Sequence, residues 1–72
     1  MSIRFEDRLE RLLNEADFPT NLRQRSAIFA KMFQISTELS QRILLGKKIP
    51  DNGVLNNIAR EFEVSTSWLI GK

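Results

Sequence analysis

The sequence predicts an all-α fold, a compact bundle of five short helices, on three observations. Apolar residues recur at helical spacing in every segment between breaks. The breaks are short, DFPTN at 17–21 and GKKIPDNG at 46–53, and hold both prolines and two of the three glycines. Serine, asparagine or aspartate stands where most of the helices would begin, and these side chains satisfy the free N–H groups of a helix start.

Each element has its own signature. Phe5, Leu9, Leu12, Leu13 and Ala16 form one face of a helix from about Phe5 to Ala16. Asn21 followed three residues later by Gln24 suits a capping box opening a second helix, whose Phe29, Ala30 and Phe33 share one face. Ile35 plugs the next turn, and Ser36 or Thr37 caps a third helix reaching about Leu45. Gly46 then suits the left-handed residue after a helix end. Asp51 or Asn52 caps a fourth helix with Leu55, Ile58, Ala59 and Phe62 inward, and Ser65 caps a short fifth helix carrying Trp68 and Leu69, with Trp68 in the core. The pentad FQIST at 33–37 recurs as FEVST at 62–66. This is one device used twice, not a repeat: an aromatic closes a helix, a β-branched residue plugs the turn, and a serine opens the next helix.

A chain of 72 residues forms one domain, here 1–72, and buries only about 60% of its unfolded surface. Cysteine and histidine are both absent, which removes disulfides, thiolate chemistry and the usual zinc-ligand sets. No metal, cofactor or small-molecule ligand is indicated. The first ten residues carry no apolar signal region, and no apolar run approaches membrane-spanning length, so a soluble cytoplasmic protein is expected. An enzyme is poorly supported. Glu6/Glu10 and Glu61/Glu63 read as solvated helix surface, and so small a bundle has little room for an enclosed pocket.

The net charge of +2 is unevenly spread. Residues 1–20 carry three Arg against five acids, a sum of −2. Residues 21–50 carry Arg23, Arg25, Lys31, Arg42, Lys47 and Lys48 against Glu38 alone, a sum of +5. Residues 51–72 carry two basic and three acidic residues, a sum of −1. One contiguous basic third suits a localised footprint for a polyanion, although chance clustering gives the same pattern in small proteins.

About three residues separate the second and third helices, the geometry of a helix-turn-helix over about 22–45. Ala30 lets the two helices approach, and Ile43, Leu44 and Ser40 turn the third helix inward. Thr37, Gln41 and Leu45, with Glu38 and Arg42, are left pointing outward.

Here the chain resembles a family. Ala30-x-x-Phe33-x-Ile35-Ser36, Gly46-Lys47-x-x-Pro50, Leu55-x-x-Ile58-Ala59-x-x-Phe62-x-Val64-Ser65 and Trp68-Leu69 resemble the lambda-repressor-like, Cro-type helix-turn-helix domain. The likeness runs over roughly residues 4–71. It implies a third helix lying in the major groove of double-stranded DNA, with Thr37, Glu38, Gln41 and Arg42 at base edges. The chemistry suits those roles: Arg pairs with guanine, Gln with adenine, Glu accepts from cytosine, and a threonine methyl meets that of thymine. Arg23, Gln24, Arg25, Ser36, Lys47 and Lys48 would contact phosphates, which position a protein without reading sequence. The resemblance further implies a cytoplasmic, nucleoid-associated transcription regulator of phage or mobile-element type, either complete or a fragment of a longer repressor. It would bind inverted half-sites as a homodimer, with Trp68–Lys72 as the suspect dimer region.

Three positions depart from the family pattern. Gln34 stands where glycine is common in the turn. Ser26 replaces a glutamine that touches phosphate, leaving Gln24 or Arg25 to substitute. Ser40 is polar at an inward site, where its hydroxyl can bond back to the Ser36 carbonyl. Plainer roles exist for the charges: Glu38 and Arg42 as an i, i+4 surface pair, Lys47 and Lys48 as cations favoured by a helix C-terminus. Arg23 and Arg25 have no such role at a helix start. Ile28, Met32, Leu45, Ile49 and Ile70 lack an obvious inward position, which suits self-association, and Ile28, Met32 and Leu45 would also serve a protein-interaction module such as an antitoxin or adaptor.

Overall fold

Side-chain caps open every helix but the first, and backbone turns close the helices. The computed structural model describes residues 4–71 and contains five helices among them: α1 (Phe5–Glu15), α2 (Leu22–Phe33), α3 (Thr37–Leu44), α4 (Asn52–Glu61) and α5 (Thr66–Leu69). Lys72, the last residue of the expected dimer region, lies outside the described residues. Asn21, Ser36, Asp51 and Ser65 each extend their backbone and accept, through a side-chain oxygen, the N–H three residues on. Such a cap contributes about 1 kcal/mol. The helix ends fall within a residue or so of the sequence expectation.

The C-terminal ends share one backbone solution. Asp17, Gln34 and Glu63 come after α1, α2 and α4 in the left-handed region, with φ of 61°, 56° and 57°. The next residue then donates its N–H to a carbonyl five positions back: Phe18 to Leu13, Ile35 to Ala30, Val64 to Ala59. Phe18, Ile35 and Val64 each pack onto the core, the hydrophobic contact that accompanies this motif. Gln34 therefore adopts the strained turn, as do Asp17 and Glu63, at a cost of about 1–2 kcal/mol each. α3 and α5 are followed instead by glycine, Gly46 at φ 75° and Gly71 at φ 82°, and a Cβ at Gly46 would run into the Glu6 side chain.

The core gathers one face from every helix. Phe5, Leu9, Leu12 and Leu13 of α1 meet Phe29 and Phe33 of α2, Ile43 of α3, Leu55 and Ile58 of α4, and Leu69 of α5. Four aromatic rings form a row across it. Phe29 and Phe33 lie 4.7 Å apart between centroids, and Phe62 lies 6.4 Å from both Phe33 and Phe18, spacings at which tilted aromatic pairs attract. The radius of gyration is 11.1 Å, matching the about 11 Å of a packed chain this long, so no helix stands off the bundle.

The two chain ends are tied together. The Arg8 guanidinium sits 4.8 Å from the centre of the Trp68 ring and donates through Nη1 to the Trp68 carbonyl. Trp68 is half-buried and packs on the core, and Ile70, expected at the surface, does the same. The stretch suspected of dimerisation thus spends much of its apolar surface inside its own chain.

Candidate functional site

Three residues, Gln34 to Ser36, separate α2 from α3, and the turn they make holds α3 across α2. Ile35 packs inward and Ala30 is buried at the approach of the two helices. A pair of serines fixes the crossing. Ser40 Oγ donates to the Ser26 carbonyl at 2.8 Å, and Ser26 Oγ donates to the Arg23 carbonyl at 3.1 Å. The Ser40 hydroxyl therefore bonds across to α2. The expected back-bond to Ser36 is not made, because the one hydroxyl hydrogen of Ser40 is donated to Ser26.

With Ile43 and Ser40 buried, the opposite side of α3 is set by helical periodicity. Thr37, Glu38 and Arg42 are exposed, Gln41 is half-buried, and Leu45 closes the row at 50% exposure. All four expected base-reading side chains thus share one side of an eight-residue helix. Glu38 Oε1 and Arg42 Nη2 are 2.9 Å apart, an ion pair one turn long.

The residues expected at phosphates divide. Ser36 caps α3, accepting the Leu39 N–H at 3.0 Å and keeping its own hydroxyl hydrogen to donate. Lys47 and Lys48 are exposed in the loop after α3, where Lys48 shares a shallow depression with Ser36, Glu38, Leu39 and Arg42. Arg23 and Gln24 are exposed in the first turn of α2. Arg25 is the correction. It is 7% exposed, and its guanidinium donates to the carbonyl of Pro19 (2.7 Å), to Asn14 Oδ1 (2.7 Å) and to the carbonyl of Phe18 (3.3 Å). Those oxygens come from the end of α1 and the loop beyond it, so Arg25 fastens α2 to α1 and has little left for a phosphate. Ser26 is fully buried and cannot replace it. The exposed basic set of residues 21–50 is then Arg23, Lys31, Arg42, Lys47 and Lys48.

A second surface feature is the open groove between the two left-handed turns, lined by Met32, Gln34, Asn57, Arg60 and Glu63 among others. It mixes signs and closes around nothing. Among the described residues no group of three or more Asp and Glu side chains gathers that could hold a metal ion, and no helix is long and apolar enough to cross a membrane. Compared with protein families, with curated proteins and with solved structures, the chain finds no match.

Proposed function

We propose that the chain is a sequence-specific DNA-binding transcription regulator, a repressor of phage or mobile-element type built on a lambda-repressor-like helix-turn-helix. The observation that carries this reading is α3. One side of it is locked onto α2 by Ser40, Ile43 and the left-handed turn at Gln34. The other presents Thr37, Glu38, Gln41 and Arg42 together, inside the third of the chain that sums to +5. An α-helix of this width fits the major groove, and these are side chains that discriminate base edges there.

The mechanism is occupancy. Lys47, Lys48, Arg23 and the Ser36 hydroxyl take phosphates and fix the orientation of the bundle, while the outer side of α3 samples bases. A domain this small contacts few base pairs, so two copies on inverted half-sites about one helical turn apart supply the affinity. The bound dimer then excludes polymerase or a competing protein in the cytoplasm. No catalytic step and no cofactor enter.

Selection of binding sites from a random duplex library at near-physiological salt tests the reading. Enrichment of an inverted repeat supports it and measures the half-site spacing. Enrichment of nothing, with no salt-dependent affinity for any duplex, contradicts it. One observation favours a second reading as a protein-interaction module. Ile28 and Met32, one turn apart on α2, are both 41% exposed.

A further inference from the structure

Glu38 is the single acid among residues 21–50, and it stands on the side of α3 that would face a polyanion. A carboxylate there repels phosphate, so its presence needs a cause. Fold stability supplies only a small one: Glu38 lies in the first turn of α3, where the helix dipole favours an acid modestly, and its pair with Arg42, with side chains 76% and 58% exposed, adds little. What the pair does do is occupy one edge of a guanidinium. A single Arg42 nitrogen, Nη2, is engaged, and the other N–H groups of its five-donor fork stay free. Lys48 lines the same depression as Glu38 and Arg42, yet among the described residues its ammonium has no carboxylate within 4.0 Å. The carboxylate holds the arginine and leaves the lysine free.

We propose that Glu38 is a positioning residue that aims Arg42 at guanine and keeps it off the phosphates, so that each half-site contains a G·C pair under Arg42. This rests on the reading of α3 as the helix that enters the groove. An unrestrained arginine beside DNA finds phosphate oxygens first, and those contacts are blind to sequence. Held by Glu38, Arg42 keeps a free edge that matches O6 and N7 of guanine, the commonest specific arginine contact. The pair is also neutral overall, so it adds discrimination without adding salt-dependent attraction. Removing Glu38 therefore costs preference at the base pair under Arg42 itself, which neither a direct reader nor an idle surface pair would do, while non-specific binding rises because a phosphate-repelling charge is lost.

The test repeats the library selection with the wild-type chain and with Glu38→Ala, Glu38→Gln, Arg42→Ala and the double variant. It then measures salt-dependent affinity for the selected site and for a scrambled duplex. Arg42→Ala is expected to lower discrimination at one G·C pair about 10- to 100-fold. Glu38→Ala is expected to weaken preference at that same pair while binding the scrambled duplex more tightly, with a salt slope steeper by about 0.9. In the Arg42→Ala background, removing Glu38 should change no base preference, and Glu38→Gln, still an acceptor, should fall between wild type and alanine. Loss of preference at a different base pair in Glu38→Ala overturns the proposal, because Glu38 then reads a base itself. No change at any position overturns it too. A wild-type chain that enriches no site removes the reading of α3, and this proposal with it. Enrichment without the coupling removes this proposal alone.

Discussion

The chain solves the same local problem twice and uses the two solutions differently. Phe33–Thr37 and Phe62–Thr66 are FQIST and FEVST, and their backbones match closely. Gln34 and Glu63 are left-handed at φ 56° and 57°, Ile35 and Val64 reach back five residues, and Ser36 and Ser65 each cap a helix at 3.0 Å. The helices they open are unlike each other. After the first pentad comes an eight-residue helix whose outer side is left open. After the second comes a four-residue helix that puts Leu69 into the core and sets Trp68 against Arg8. The turn is a structural device indifferent to function, and the proposed function belongs to the helix that the first copy aims.

The two pentads should differ most in the core. Phe33→Ala should cost about 3–5 kcal/mol, because a nearly buried ring leaves a cavity. The half-buried Phe62 should cost less on truncation, about 1–3 kcal/mol, and urea denaturation of both variants measures the difference. Arg25→Ala should come next, losing about 1.5–3 kcal/mol for the charged hydrogen bonds to Pro19, Asn14 and Phe18. Its exposed neighbour Arg23→Ala should leave stability within about 0.5 kcal/mol of wild type and weaken DNA affinity, so the pair of variants separates an internal tie from a phosphate contact.

The two caps sharpen the contrast further. Ser36→Ala and Ser65→Ala should each lose about 1 kcal/mol of stability, yet only the first should weaken binding to duplex DNA. Titrating a labelled duplex with both variants, under conditions where each is folded, checks this. The smallest effects are expected from Gln34→Gly and Glu63→Gly. Each should gain up to about 1 kcal/mol by relieving the left-handed conformation, less the extra chain entropy of glycine. Equal shifts in denaturation midpoint would show one device; clearly unequal shifts would show two.

Much of the fold is legible locally. Asn21, Ser36, Asp51 and Ser65 announce helix starts because a cap bonds within three residues, and Gly46 announces an end because few other residues adopt its φ. The inner faces come from spacing alone, and with them the outward placement of Thr37, Glu38, Gln41 and Arg42. The misjudged residues depend on distant partners. Arg25 reads as a free cation in a first turn because Asn14, Pro19 and Phe18 are contributed from outside its own helix. Ser40 bonds to Ser26, fourteen positions away, where local chemistry offers Ser36. Ile70 packs on a core gathered from every helix, while Trp68, expected in the core, packs on it and is held by an arginine sixty residues earlier. Glu63 shows its left-handed backbone only through its match to Gln34 in the repeated pentad, and Asp17 only as a residue type that tolerates that region.

In the proposed function, the first pentad aims a DNA-reading helix and the second does not. The most direct test is backbone amide mapping by NMR, adding a short duplex to the labelled chain at low salt. Shifts are expected to concentrate in residues 36–48 and the first turn of α2, while residues 63–71 stay where they were. Shifts centred on α5 and the groove beside Arg60, or no shift at any residue, would contradict it.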